Sequence, residues 1–391
     1  MTAQPATDTA TPTTTEPISG PVGEPSRRHR RSGLVGLVAA LAAGGVLLAL
    51  PTDDPDPAPG AQVRTIEQVW PDARPVEIPA ALSDGPAYSP VFFLDARVSV
   101  GTAPSPEGTH LRLVLRAADG TVRELRRLPI ADGPLYAGFA RDGDEFAWAE
   151  SVSGEDGHGR TELWATNLAT AQPARRLTAD TGDVVFFNSQ YDMVINSGRL
   201  YWASVAPGEE TATEIRSVAL TGGAVSVRTE PGAWSVSAYP WLASAGTGTS
   251  GPVQLRNLEQ RKVIEVDATG SELVTCSPTW CRVLVLAADG PGRIELMRPD
   301  GTDRRQVAGG VATAAVIDVA VLDRFEVVSL ADAQRTATDN QQLLLYDVRE
   351  KRTVVVSDRT GLVLCRDGIL WWSTGGSDIT TWHTLDLRTL E

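Results

Sequence analysis

The chain has 391 residues, of which 42% are hydrophobic, 21% charged and 6% aromatic. These are globular values, and they exclude wholesale disorder, a collagen-like rod and a polytopic membrane protein. A formal net charge of −14 disfavours a non-specific grip on nucleic acid, which needs clustered basic residues to neutralise phosphates.

In chain order, residues 1–32 come first. As far as residue 26 they are Thr, Pro, Ala, Gly and Glu with almost no large apolar side chain, a composition that predicts a disordered tail. The tail ends in Arg27, Arg28, His29, Arg30 and Arg31. Gly33 to Leu50 then contains only Gly, Ala, Val and Leu, and as a helix it spans about 27 Å, close to a bilayer's hydrocarbon thickness. The Arg cluster before it and Asp53, Asp54 and Asp56 after it predict a single-pass helix with the N-terminus cytoplasmic and the remainder extracytoplasmic. A cleaved secretory signal is the alternative, although Leu47-Leu48-Ala49-Leu50-Pro51 offers no small-x-small site. Residues 51–61 read as a stiff Pro/Asp spacer, and 62–391 as an acidic ectodomain.

Within 62–391 the sequence repeats itself. Asp142-Gly143-Asp144-Glu145-Phe146-Ala147-Trp148 aligns with Ser197-Gly198-Arg199-Leu200-Tyr201-Trp202 and with Asp367-Gly368-Ile369-Leu370-Trp371-Trp372, each a turn followed by an aromatic strand. An alternating strand follows each one. Taking Leu113, Leu163, Ile215, Leu255, Leu296, Leu345 and Leu385 as equivalent gives spacings of 50, 52, 40, 41, 49 and 40 residues. Short strands, Asp-Gly turns and a period of about 45 residues predict an all-β protein, a seven-bladed β-propeller, with six or eight blades as alternatives. The last unit ends one strand short, and Arg74-Pro75-Val76-Glu77-Ile78-Pro79 alternates correctly to supply it. Trp148, Trp164, Trp202 and Trp372 are expected between blades.

Ser89-Pro90-Val91-Phe92, Tyr239-Pro240-Trp241, Ser277-Pro278-Thr279-Trp280 and Leu163-Trp164-Ala165-Thr166-Asn167-Leu168 resemble elements of bacterial TolB-like propellers. The blade count is more similar to WD-repeat rings. The resemblance implies a binding platform at a cell envelope, often for other proteins.

Cys276 and Cys281 flank a four-residue turn between two strands, which predicts a disulfide in an oxidising compartment. Cys365 is left over and reads as a buried apolar residue. Trp234, Tyr239, Trp241 and Trp280, near the starts of blades, are the candidate partner or ligand surface. The loop bearing Glu155, Asp156 and His158 is a weak cation candidate whose spacing departs from a calcium loop. No Gly-x-Ser-x-Gly, His-Glu-x-x-His or Walker sequence occurs, and neither a metal nor a cofactor is expected. The reading that follows is a membrane-anchored, non-enzymatic scaffold for a protein or envelope partner. The alternative is a propeller lyase or hydrolase acting on carbohydrate or cell-wall polymers, which requires convergent titratable groups with perturbed protonation at the channel.

Overall fold

The computed structural model describes residues 63–154, 159–208, 210–244, 253–287, 290–310, 312–331, 341–376 and 380–391. The expected tail, the Gly33–Leu50 helix, the 51–61 spacer and the Glu155, Asp156 and His158 loop lie outside these residues. Among the described residues no helix is long and apolar enough to cross a membrane.

Seven antiparallel sheets follow one another along the chain, which settles the blade count at seven. Blade one comprises Ser89–Phe93, Ser99–Pro104, His110–Arg116 and Val122–Pro129. Blade two comprises Leu135–Asp142, Glu145–Ser153, Gly159–Asn167 and Arg175–Thr178. Blade three starts with a divided strand, Asp183–Val184 and Met193–Asn196, followed by Arg199–Val205, Ala212–Ala219 and Ser226–Pro231. Blades four to six begin at Trp234–Ala238, Glu272–Cys276 and Ala312–Ala314. Blade seven comprises Val363–Arg366, Ile369–Thr374 and Thr381–Asp386, with Val76–Pro79 as its fourth strand.

That fourth strand comes from before blade one and pairs antiparallel with Thr381–Asp386, Val76 opposite Thr384 and Ile78 opposite Trp382. The seam to blade one is then closed by Trp382 Nε1 donating to the Tyr88 carbonyl at 2.9 Å, Thr384 Oγ1 donating to the Ala96 carbonyl at 2.6 Å, and the Phe93 and Trp371 rings 5.3 Å apart. Further upstream, Arg64–Thr65 pairs parallel with Arg352–Thr360 of blade six. Ile66 and Trp70 are buried in the same cluster as Phe325.

The seven aliphatic residues matched by spacing all fall in third strands, and all seven are buried. Each third strand lies inside its blade, so each of these residues packs against one neighbouring blade, as Leu163 does against Leu200 and Trp202 of blade three. The first-to-second-strand turns carry the expected chemistry: Asp367 and Gly368 have φ of 49° and 74°, Ser197 and Gly198 50° and 72°. Consecutive positive φ values define the tight hairpin that Asp-Gly and Ser-Gly tolerate. Trp148, Trp202 and Trp372 are buried, and Trp164 is partly buried under the Arg126 guanidinium, 3.7 Å from its ring.

Between blades, Arg supplies a recurring tie. Arg123, Arg175, Arg228 and Arg305, each on a fourth strand, donate to the carbonyls of Leu168, Leu220, Leu258 and Val348, each just after the third strand of the next blade, at 2.6, 2.7, 2.9 and 3.1 Å. The N–H of each acceptor residue is already bonded to its own blade's turn, so the arginine satisfies the carbonyl that the sheet leaves open. At the seam between blades one and two, Arg126 also holds buried Glu150 through two bonds of 2.7 and 3.1 Å, with Trp148 Nε1 donating a third at 3.0 Å.

Cys276 and Cys281 face each other in register across the first hairpin of blade five and are disulfide-bonded. Cys365 is free and buried.

Two stability outcomes follow. Arg126→Met keeps an apolar stem over Trp164 but strands the Glu150 carboxylate, and is expected to cost about 2 kcal/mol in urea unfolding, since Arg126 is itself only partly buried. Replacing Cys276 and Cys281 by Ser is expected to cost about 2 kcal/mol, the loop entropy of a short crosslink, and to abolish the two-proton mass difference seen on reduction.

Candidate functional site: a crossing of the central channel

The first strands of the blades line the ring's axis, and in blade three that strand is interrupted. Val184 lies opposite Ser204 and Met193 opposite Trp202, so residues 185–192 stand where one residue would continue the ladder. The excess chain leaves the blade and crosses the channel. Blade six departs in the same way: after Ala312–Ala314, residues 316–320 leave the sheet before Val321 bridges to Phe325.

The two excursions meet at Asp318. Ser189 Oγ donates to Asp318 Oδ1 at 2.6 Å, and the Gln190 N–H donates to Oδ2 at 3.1 Å. From blade seven, the end of the first strand brings in Arg366, whose Nη1 donates to the Ser189 carbonyl at 2.8 Å and Nη2 to Asn188 Oδ1 at 2.6 Å. Next to it the Asp367 N–H donates to Gln190 Oε1 at 3.1 Å. Blades three, six and seven are thereby joined across the ring's axis. Blade two forms the wall: the Arg366 guanidinium lies 5.8 Å from the Phe139 ring. Gly138, at φ 49°, leaves space that a Cβ would dispute with Phe186 at 2.9 Å.

A second arginine fixes the blade-six side. Arg282 of blade five donates to the Ile317 and Asp318 carbonyls at 3.1 and 2.8 Å and pairs with Glu326. Glu326, fully buried, also accepts from the Ala320 N–H at 2.9 Å. Its lone pairs are thus well supplied, as a carboxylate removed from water requires.

Asp192, at the foot of the crossing, is differently placed. It is 6% exposed; Oδ1 accepts the Phe187 N–H at 2.9 Å, and Oδ2 has no hydrogen-bond partner among the described residues. Burial, opposed by that N–H and by Arg366, raises its carboxyl to about 6, and the charge of Asp318 adds to the rise. Asp318 is raised as well, chiefly by burial and against its bonds to Ser189 and Gln190. Burial pulls the Arg366 guanidinium below its ordinary value. Two carboxyls in unequal settings beside one cation can divide the roles of proton donor and proton acceptor near neutral pH.

The residues singled out by sequence are placed elsewhere. Trp234 is buried, with Nε1 donating to the Pro231 carbonyl at 2.7 Å and Arg256 4.6 Å from its ring. Tyr239 stacks on Tyr201 with centroids 4.1 Å apart, and Trp241 is half-buried. Trp280 is 2% exposed and lies between Arg298 at 3.6 Å and Arg305 at 5.5 Å. Trp234 and Tyr239 share one hydrophobic cluster, Trp241 packs in the next, and Trp280 belongs to a third. The Glu155, Asp156 and His158 loop lies outside the described residues, and among the described residues no group of three acidic, His or Cys side chains is placed to hold a metal. Ser189, Asp192, Asp318 and Arg366 were not singled out by motif. Length does not mark them either, since the spacings that span the two excursions, 52 and 49 residues, do not stand apart from the 50 between Leu113 and Leu163.

No family model matches the chain, and no curated protein matches it. Among solved structures, the chain is similar to an acylaminoacyl peptidase in complex with Z-Gly-Gly-Phe-chloromethyl ketone, at 10% identity and TM-score 0.42, over 61% of this chain and 43% of that one. It is also similar to the β-propeller domain of the Trilobed protease from Pyrococcus furiosus, at 11% identity and TM-score 0.45, over 74% and 89% of the two chains. A third likeness is to a Mycobacterium tuberculosis puromycin-hydrolyzing peptidase, at 13% identity and TM-score 0.46, over 79% and 52%. The chain thus spans less than half of the acylaminoacyl peptidase it resembles.

The expectation of a non-enzymatic scaffold is corrected here. The channel holds the convergent, perturbed ionisable groups that the hydrolase alternative requires. The physical reason is that no local motif carries these groups, which lie far apart in sequence and converge only through the ring.

The buried carboxyl makes a pH prediction. Asp192 binds its proton more tightly folded than unfolded, so its penalty is absent below pH 4, grows as pH rises toward 6 and is constant above. Urea unfolding of the wild type is expected to lose about 3 kcal/mol from this residue across that window. Asp192→Asn is expected to remove that part of the slope.

Proposed function

We propose that the protein is a hydrolase of the propeller kind, acting on an extended polymer, peptide or envelope glycan, with Asp192 and Asp318 as its acid–base pair. The observation that carries this reading is the convergence of two carboxyls and Arg366 on the channel, one carboxyl held near pH 6 with an unpartnered oxygen. In the reaction the ionised carboxylate takes a proton from the attacking water, whose oxygen bonds to the carbonyl or anomeric carbon. The protonated carboxyl gives its proton to the leaving nitrogen or oxygen as that bond breaks. Arg366 offsets the negative charge left at the pair.

The location belongs to the same proposal. The Gly33–Leu50 segment anchors the chain in a membrane with the ring outside, in keeping with the likeness of its blade motifs to TolB-like propellers. The Cys276–Cys281 bond supports an oxidising compartment.

The test incubates the full-length protein in detergent with denatured casein and with purified cell-wall sacculi, following released amines and reducing sugars. Turnover is expected on one polymer class, falling as pH rises through about 6, where the acid form of Asp192 is lost. Asp192→Asn and Asp318→Asn are each expected to lower it at least 100-fold while circular dichroism is unchanged. No release from either polymer, or release that both substitutions leave intact, refutes the assignment.

A further inference from the structure

We infer that residues 186–191 form a lid over Asp318, hinged at blade three with Asp192 at its foot, and latched to blades six and seven. Both ends of the segment are anchored by main-chain bonds to one neighbouring strand, the Val185 N–H donating to the Ala203 carbonyl and Met193 lying opposite Trp202, so seven residues leave and return between adjacent ladder positions. Such a loop can lift as a unit without unpairing the blade. Its far side is held by side-chain bonds: Ser189 and Gln190 to Asp318, Asn188 and the Ser189 carbonyl to Arg366, and Gln190 to the Asp367 N–H. Among the described residues no strand pairing joins it to blades six or seven.

The apolar content of the segment is divided in the same sense. Phe186 seats against Gly138 and Met193 beside the hinge, whereas Phe187, next to the latch, is 44% exposed. Asn188, the residue held by Arg366, has φ 63°, an uncommon conformation for a side-chain-bearing residue that Asn tolerates better than most. With the latch closed, Ser189 and Gln190 occupy both oxygens of Asp318, and Asp192 is almost wholly buried. Lifting the lid frees Asp318 and Arg366 together and opens the pair to water and substrate. The lid's motion is a claim about conformation alone; its role in admitting polymer rests on the hydrolase reading above.

Native-state hydrogen exchange on the full-length protein tests it. In the wild type the amides of Phe187, Gln190, Tyr191 and Asp192 are expected to exchange through an opening that depends little on added urea, distinct from the global opening that exposes Val218. Arg366→Met is expected to speed those four amides at least 10-fold and leave Val218 unchanged. Because that change strands two buried carboxyls, the milder pair Asn188→Ala with Gln190→Ala, which removes latch bonds without touching a charge, is measured beside it. If the four amides exchange only with Val218, at its rate and urea dependence in every folded form, the segment is a fixed plug and the inference is wrong. Faster exchange in the Asn188→Ala, Gln190→Ala protein with no polymer hydrolysis in any form leaves the lid standing and removes the hydrolase reading instead.

Discussion

The antiparallel pairing of Val76–Pro79 with Thr381–Asp386 is the constraint on which the rest of the molecule depends. A ring of stacked sheets has two ends, and each would otherwise show an unsatisfied edge and an apolar blade face to water. Placing a strand from before the first blade on the outside of the last ties those ends with main-chain bonds. The Trp382 and Thr384 bonds to blade one then need only align faces already held together. The channel depends on the same closure, because a crossing from blade three can meet blades six and seven only if the ring brings them round to it.

Arginine is the second organising element. The chain has 33 Arg and two Lys, a ratio that composition alone would ascribe to the genome. The structure gives many of these residues a task that lysine performs poorly. A fork of donors fixed in one plane reaches from the outer strand of one blade to a carbonyl on the next, while Arg126 and Arg256 hold the carboxylates of Glu150 and Glu230 and lie over the Trp164 and Trp234 rings. Radial sheets diverge toward the rim, where side chains no longer interdigitate. A long, flat, multivalent cation fills that gap and satisfies backbone oxygens there.

Much of the fold was legible because it repeats. The aliphatic residues from Leu113 to Leu385 all fall in buried third strands, although at different register positions within them, the Asp367-Gly368 turn requires residues tolerant of positive φ, and Cys276 faces Cys281 because a short hairpin leaves no other register. The candidate site was illegible for the converse reason. Ser189 and Asp318 are 129 residues apart, and Asn188 and Arg366 are 178 apart, so no local pattern joins them. Both excursions are departures from the repeat, and a periodic reading treats such departures as loop. Trp280 drew notice as an aromatic at the start of a blade, yet two arginines enclose it, and sequence does not distinguish an aromatic anchor from an aromatic shelf.

Closure by an N-terminal strand also orders events in time. Val76 leaves the ribosome about 300 residues before its partner Thr384, an interval of roughly 15–60 s at ordinary synthesis rates. Throughout that interval blade one has no neighbour on its open side, and Ile78 and Trp382 lack the contacts that bury them. A chain cut short anywhere before residue 381 cannot complete the ring however many blades it contains. Ring closure is therefore possible only after the last blade has been made, and a truncated copy leaves both an open sheet edge and an apolar blade face for quality control to recognise.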